Sequence, residues 1–420
     1  MNIEQLYSLY TENYKVDTDT RKIRKGSLFF ALKGENFNGN KFVNEALKNG
    51  ARYVIIDEEK YQKSQNTILV KNVLITLQNL ANFHRKQLNI PIISLTGSNG
   101  KTTTKELVKA VLSKKYKTIA TEGNLNNHIG VPLTLLSMLP NTDIGIVEMG
   151  ANHLNEIDFL CQIAQPNFGY ITNFGKAHLE GFGSVEGVIK GKSELYNFIK
   201  KTQGFAFVNK DDEIQMKQSI GVNSIYFDKN LIKYVESNPF VKTQFKNTEI
   251  KSNLIGKYNY PNIAAAIAIG DYFNVSKTNI KSAIENYTPT NNRSQIIEKG
   301  IHTVILDAYN ANPTSMFAAL ENFNQLNGSH KIVFLGDMFE LGKDSKIEHQ
   351  KIADLLTKYN FSKVYLIGKE FATTKVKNIL VYTTFEAFKT STKNLKFNSP
   401  ATILIKGSRR MELERILELL

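Results

Sequence analysis

Short apolar runs bounded by Gly, Asp or Asn recur along the chain, and the stretches between them carry apolar residues at helical spacing. In residues 1–88 the runs "GSLFFAL", "ARYVIID" and "NTILV" predict strands and "NKFVNEALKNG" an amphipathic helix, which together make a small N-terminal α/β domain. The segment "LQNLANFHRKQLN" predicts a helix leading out of it. From "IPIISLT" onward, "TDIGIVEM", "FGYITNF" and "GFAFVN" alternate with helical patterns, and "NYPNIAAAIAIGDYF" predicts a late helix. Strands separated by helices imply a mostly parallel sheet covered on both faces, spanning residues 89–289. After the linker "NYTPTNNRSQ", with its Pro and Asn content, a third set begins: "HTVILDAYNANP", "HKIVFLGDM", "KVYLIG" and "ATILIKGS". It ends in "RRMELERILELL", again apolar at helical spacing, so residues 290–420 form a third α/β domain.

One junction in this pattern carries chemistry. The strand ending at Leu95 runs into Gly97, Gly100, Lys101 and Thr102 and then into the helical "TTKELVKAVLSKK". A strand, a glycine loop and a helix start make a phosphate cradle: backbone N–H groups point at the anion, the helix N-terminus adds partial positive charge, and a lysine neutralises the terminal phosphates. The spacing departs from the common G-x-x-x-x-G-K-[ST] pattern, because Leu95 stands where the first glycine belongs. A bare Gly-Lys-Thr is a weak match, and a plain left-handed turn before a helix cap would produce it too. The flanking strand and helix favour the cradle. About forty residues on, the apolar strand "DIGIVEMG" ends in Glu148, a carboxylate delivered to the sheet edge where a Mg²⁺ ligand is needed, although an ordinary strand-end acid would look the same.

Composition changes the picture little. The 420 residues are 42% hydrophobic and 22% charged, enough for several cores in a soluble globular protein. The net charge of +14 fits either acidic small ligands or a nucleic acid; the lysines are spread rather than clustered, which favours the former. A single cysteine, Cys161, rules out an internal disulfide and is compatible with a reducing cytoplasm. No stretch approaches the length of a membrane span and the start has no export signal, so the expectation is a cytoplasmic chain acting on small molecules, without nucleic acid or membrane, and as a monomer.

The short loop "TGSNGKTTTKE", together with "GNLNNHIGVPLTLL", "VEMGANHLNEI", "ITNFGKAHLEGFGS", "DAYNANPTSM", "GDMFELG" and "IKGSRRMELE", resembles the Mur ligase family across nearly the whole chain. The resemblance implies three domains: a small N-terminal domain for a uridine nucleotide, a central ATP-binding domain with a P-loop-type, mostly parallel sheet, and a Rossmann-like C-terminal α/β domain that closes over ATP. It implies ATP-dependent joining of an amine to a carboxylate through an acyl phosphate. "DAYNANP" and "GDMFELG" point to the activity that adds D-Ala-D-Ala to a UDP-MurNAc-tripeptide for peptidoglycan, and so for cell-wall biogenesis, cell shape and division. A sibling that adds a single amino acid is the nearest rival, and a basic ATPase acting on nucleic acid a more distant one.

By the same resemblance, Gly97, Asn99, Gly100, Lys101, Thr102 and Thr103 would hold the ATP phosphates, and Thr102 and Glu148 Mg²⁺, with two ions in all. His178 would lie beside the metals and the reacting carboxylate. Lys192 matches a lysine that relatives carry as a carbamate able to help bind the second ion, with Lys190 as the other register. Asn259 and Asn262, three apart at a helix start, would read the adenine, although Tyr258 stands where the family commonly has His. Arg293 would reach the phosphates and Asp307 the ribose. Thr20, Arg21 and Asn38 would contact the uridine nucleotide, with Asn38 and Asn40 in a stretch, "NFNGN", that departs from the family's D-G-H. Asn126, Asn127 and Asn310 would meet substrate, and Phe339 is a further candidate near the dipeptide.

Overall fold

The structure, a computed structural model, describes residues 1–328, 330–392, 397 and 399–420. Among these residues no helix is long and apolar enough to cross a membrane. The chain is α/β throughout, in three units.

The first unit is a four-stranded parallel sheet in the order Val16–Asp17, Leu28–Phe30, Tyr53–Ile56, Thr67–Leu69. Its strands read as unbroken apolar runs because both faces are covered: Val54, Ile55 and Ile56 are all buried. The helix Val73–Leu88 starts where the Asn72 side chain accepts the Ile75 N–H at 2.9 Å. It is fastened to the next unit through buried Arg85, which donates to the Ala164 and Gln165 carbonyls and to the Asn167 amide oxygen.

The second unit holds a six-stranded, wholly parallel sheet ordered Asn223–Phe227, Phe205–Asn209, Phe168–Ile171, Ile92–Thr96, Ile144–Glu148, Thr118–Ala120. Strand Ile92–Thr96 is central; the chain passes from it to the edge strand Thr118–Ala120, returns to fill the gap with Ile144–Glu148, and then crosses to the other side. The loop that follows it therefore opens at the topological switch point, where open α/β sheets gather ligands. The helix Lys101–Leu112 packs Leu107, Val108, Val111 and Leu112 against the sheet. The helix Tyr260–Tyr272, with Pro261 in its first turn and every residue from Ile263 to Gly270 buried, lies against it.

The third unit's sheet runs Gln295–Lys299, His302–Asp307, Thr402–Lys406, Lys331–Gly336, Lys363–Ile367, Leu380–Tyr382. Only the first pair is antiparallel. Parallel register sets Asp307 directly beside Lys406 at the strands' C-terminal ends.

Two features differ from the sequence pattern. The second unit also carries an antiparallel sheet, Ile232–Ser237, Phe240–Phe245 and Thr248–Ile255, whose first turn holds the turn-marking pair Asn238-Pro239 but whose strands form no unbroken apolar run. Its second turn is made by Lys246 and Asn247, both at positive φ (46° and 61°), the geometry of a tight hairpin turn, but a lysine is not a residue that announces one. The closing "RRMELERILELL" is two 3₁₀ segments, Arg409–Met411 and Leu413–Glu418, broken at Glu412 (φ 48°), rather than an α-helix. The three-residue period of a 3₁₀ turn stacks Leu413 over Ile416, and both are buried.

Candidate active site

The phosphate-cradle geometry is present. Gly97 (φ 146°) and Gly100 (φ 77°) hold backbone conformations that suit glycine, and a Cβ on Gly97 would lie 1.9 Å from the Thr172 hydroxyl. The loop is pinned from the neighbouring strand end: the Asn99 N–H donates to the Asn173 side chain at 3.0 Å, and the Asn99 carbonyl accepts from Thr172 and Asn173. Gly100 caps the helix that Lys101 opens. The Lys101 ammonium bends back onto the Gly97 carbonyl at 2.7 Å, and burial holds its pKa below the usual lysine range, against the attraction of Glu148.

Glu148 is buried at the end of its strand. One carboxylate oxygen accepts from Asn126 at 2.8 Å and from the Thr102 hydroxyl at 3.2 Å. The other, Oε2, has no hydrogen-bond partner among the described residues; the nearest cation is the buried Lys105 ammonium at 3.9 Å. A buried acceptor without a partner costs roughly 1–3 kcal/mol. Together with the adjacent Thr102 hydroxyl it makes the sparse oxygen set that suits Mg²⁺, which takes one or two carboxylates and leaves its other positions to phosphate and water. Among the described residues no cluster of three or more His, Cys, Asp or Glu forms a complete metal cage.

His178 sits at positive φ (53°), its Nδ1 paired with Glu340 of the third unit. Lys192 is fully buried; its amine donates to the Ala151 carbonyl at 2.9 Å and lies 5.1 Å from the Phe182 ring centroid. Burial, helped by the charge of Lys101, pushes its pKa well below the usual lysine range. Lys190, the other register, is exposed.

From the third unit, Arg293 stacks on the Tyr309 ring at 3.7 Å, and its Nε has no partner among the described residues. Asp307 accepts the Ser294 N–H at 3.1 Å and pairs with the Lys406 ammonium at 2.6 Å, which also donates to the Asn310 carbonyl at 3.2 Å. Lys406 is buried, and nothing in the sequence pattern marked it out; the parallel register opposite Asp307 is what places it.

These groups face one cleft of about 1130 Å³ between the second and third units. Its lining includes Asn99 to Thr103, Asn126, Asn127, Glu148 and His178 from the second, Tyr258, Asn259 and Asn262 from the helix entry, and Arg293, Asp307, Asn310 and Lys406 from the third. Asn259 and Asn262 are nearly buried, and their amides are spent in a chain: Asn262 donates to Asn259 and accepts from Thr104, while Asn259 donates to the Ile255 carbonyl. Tyr258 shares a hydroxyl bond with Ser294 at 3.0 Å, across the boundary between units. The Asn127 side-chain oxygen accepts the Ile129 and Gly130 N–H groups, at 3.1 and 2.9 Å, just before the helix Gly130–Leu135. Asn310 turns its side chain onto its own neighbour, the Ala311 N–H. Lys192, Gly97 and Phe339 do not line the cleft; Phe339 is held by its N–H on the Ser408 hydroxyl.

Thr20, Arg21 and Asn38 also lie away from this cleft. Arg21 is exposed and paired with Asp19, and the Thr20 carbonyl accepts from Asn49. Asn38 donates to Glu58 at 2.8 Å and accepts from buried Asn40, which in turn braces Asp57.

Family profiles match the chain in three stretches: Mur ligase family, catalytic domain, over residues 13–97; Mur ligase middle domain over 95–270; and Mur ligase, glutamate ligase domain, over 292–409. The UDP-N-acetylmuramoyl-tripeptide--D-alanyl-D-alanine ligase of Buchnera aphidicola subsp. Baizongia pistaciae is 35% identical, over 98% of this chain and 95% of its own length. The Bacillus subtilis protein of the same name is 34% identical over 84% of this chain and 80% of its own. Among solved structures, MurF from Acinetobacter baumannii superposes with a TM-score of 0.84 at 30% identity, covering 96% of this chain and 92% of that one. MurF ligase from Thermotoga maritima in complex with ADP gives 0.83 at 28% identity, covering 96% of each chain. With relatives above 30% identity along nearly its full length and a cleft built on the family's short phosphate loop, the chain belongs to the Mur ligase family.

Proposed function

We propose that this chain joins D-alanyl-D-alanine to a UDP-N-acetylmuramoyl-tripeptide at the expense of ATP, giving the pentapeptide precursor of peptidoglycan, and that it does so in the cytoplasm as a monomer. The relatives that match it over nearly its whole length carry the name of that activity. One structural observation supports it most: Asn99 Nδ2, Arg293 Nε and Glu148 Oε2 are all buried without partners among the described residues, and all three residues line the same cleft. Two donors and one anionic acceptor converging from two domains suit a nucleotide triphosphate and its cation better than any all-protein contact.

In this reading residues 1–88 hold the uridine nucleotide through Thr20, Arg21 and Asn38, residues 89–289 bind ATP, and residues 290–420 close over it. The loop N–H groups, Lys101 and Arg293 neutralise the phosphates, Asp307 takes the ribose, and Asn259 and Asn262 border the adenine. Thr102 and Glu148 would hold Mg²⁺, with His178 and a carbamate on Lys192 toward a second ion, and the metal would supply charge neutralisation at the phosphoryl oxygens. Lys192 suits that modification because burial, with the charge of Lys101, disfavours its ammonium form, and the free amine is the form whose lone pair adds to CO₂.

The tripeptide carboxylate attacks the γ-phosphorus, the bond to the ADP oxygen breaks, and an acyl phosphate forms. The dipeptide amine then attacks the acyl carbon, its proton is lost, phosphate leaves and the amide remains. Lys101 and Arg293 stabilise the oxyanion between these steps. Asn126, Asn127 and Asn310 lie where the peptide substrates would reach. Closure of the third domain excludes water that would otherwise hydrolyse the acyl phosphate.

The test is phosphate release from ATP with UDP-linked tripeptides differing at the third residue, with and without D-Ala-D-Ala. Release should require both peptide components. Release that ignores the dipeptide, or amide formation with a single amino acid instead, would overturn the assignment.

A further inference from the structure

The segment "GDMFELG", residues 336–342, takes no part in the chemistry above, yet it carries one of the contacts by which the third unit meets the second beside the cleft. Glu340 pairs its carboxylate with His178 Nδ1, and its carbonyl accepts the Glu180 N–H at 3.1 Å. Both residues of the pair adopt positive φ, 53° at His178 and 63° at Glu340, and neither is glycine. Two left-handed non-glycine residues meeting across a domain boundary is backbone strain that the surrounding structure must hold in place, a feature that concentrates at functional sites.

The loop carrying Glu340 is rigidly supported. The Met338 N–H donates to the buried His349 ring at 3.0 Å, and the Phe339 N–H to the Ser408 hydroxyl at 3.1 Å. Asp337 accepts the Glu370 and Phe371 N–H groups at 3.0 Å each. The position of Glu340 is thus set by the third domain's core, and His178 is set by the second domain.

We propose that Glu340 is a positioning residue: when the third domain docks, its carboxylate fixes the His178 ring at Nδ1 and leaves Nε2 directed to the cleft, so that a competent histidine exists only in the closed enzyme. The pair then acts as a checkpoint that couples closure to chemistry. A residue that merely stiffened the fold would not need to reach across the boundary, and Glu340 is about half exposed, so its truncation leaves no cavity. The inference rests on the ligase reading.

Glu340→Gln keeps the shape and removes the charge. Loss of a carboxylate that orients a functional histidine costs about 10- to 100-fold in rate. We expect kcat to fall by that factor, ADP affinity by calorimetry to stay within about threefold, the melting temperature to hold, and amides 178–183 of the ADP-bound enzyme to exchange hydrogen faster than in wild type. Glu340→Asp, which keeps the charge on a shorter stem, should recover part of the rate. A Glu340→Gln enzyme with wild-type kcat, or one that loses ADP binding in parallel with rate, would overturn the proposal. If the wild-type protein itself makes no amide, the ligase reading fails instead, and the two failures are distinct.

Discussion

Replacing Lys406 by Met tests whether the third domain's contribution to the cleft is held by one buried ion pair. The Lys406 side chain is 2% exposed and Asp307 17%, so the pair at 2.6 Å is largely out of water. Removing one partner of a buried pair costs about 3–5 kcal/mol, because the survivor is left charged and unpaired. Asp307 retains the Ser294 N–H at 3.1 Å and some solvent, which lowers the expected cost to about 2–3 kcal/mol. With a urea m-value of about 1.5 kcal/mol per molar, the unfolding midpoint of the third domain should fall by about 1.3–2 M. Hydrogen exchange of the Thr402–Lys406 amides would locate the loss. If Asp307 takes the ribose as proposed, its release from Lys406 should raise KM for ATP about tenfold while kcat changes less. The pairing also predicts strong non-additivity: Lys406→Met combined with Asp307→Leu removes both charges and should be less destabilised than Lys406→Met alone. A midpoint shift below about 0.3 M, or additive losses in the double variant, would refute the claim that this pair organises the site.

Three other substitutions probe the loop and the buried titratable groups. Gly97→Ala places a methyl 1.9 Å from the Thr172 hydroxyl at φ 146° and should raise KM for ATP about tenfold or more; Gly34→Ala, where a Cβ meets nothing within 4 Å, should leave ATP kinetics unchanged. Lys192→Met should abolish ligation yet raise stability near neutral pH, since the native pKa of Lys192 lies far below its unfolded value. The unfolded chain binds the extra proton, so wild-type stability climbs as pH rises toward the unfolded pKa of about 10.4, and the variant should lose that slope in urea titrations between pH 7 and 9.5. Cys161 is buried, with its thiol pKa raised by burial, so a thiol reagent at pH 8 should label it only after unfolding; labelling of native protein at the free-thiol rate would contradict its placement.

Much of the fold could be read from the sequence because the parallel strands are buried on both faces, and such strands announce themselves as unbroken apolar runs: Ile92–Thr96, His302–Asp307 and Lys331–Gly336 are examples. The antiparallel sheet escaped because its middle strand, Phe240–Phe245, buries alternate residues, with Thr243 in one of the inward positions and a lysine in the following turn. Local patterns also singled out the glycine loop and the strand-end Glu148, which the folded chain brings to one cleft. They could not find Lys406, which matters because the chain brings together residues 99 positions apart in neighbouring strands.

The same limit applies more strongly across the cleft. Asn312 donates to Asn99 at 2.7 Å, Lys176 pairs with Glu348 at 2.9 Å, and Glu340 reaches His178; each contact joins residues that share no motif and no element. Their sequence separations, 213, 172 and 162 residues, put them beyond any periodicity argument. On the mechanism proposed above they are the contacts that have to be reversible, since ATP would enter and ADP would leave the cleft they span. Reversibility explains their character: they are polar and partly exposed, and each contributes little on its own. An apolar interface would lock the domains shut, because docking buried hydrophobic surface is not undone on the timescale of turnover. The glycine loop is therefore legible as local structure, whereas the proposed closure over ATP would rest on a few long-range polar contacts visible only in the folded chain.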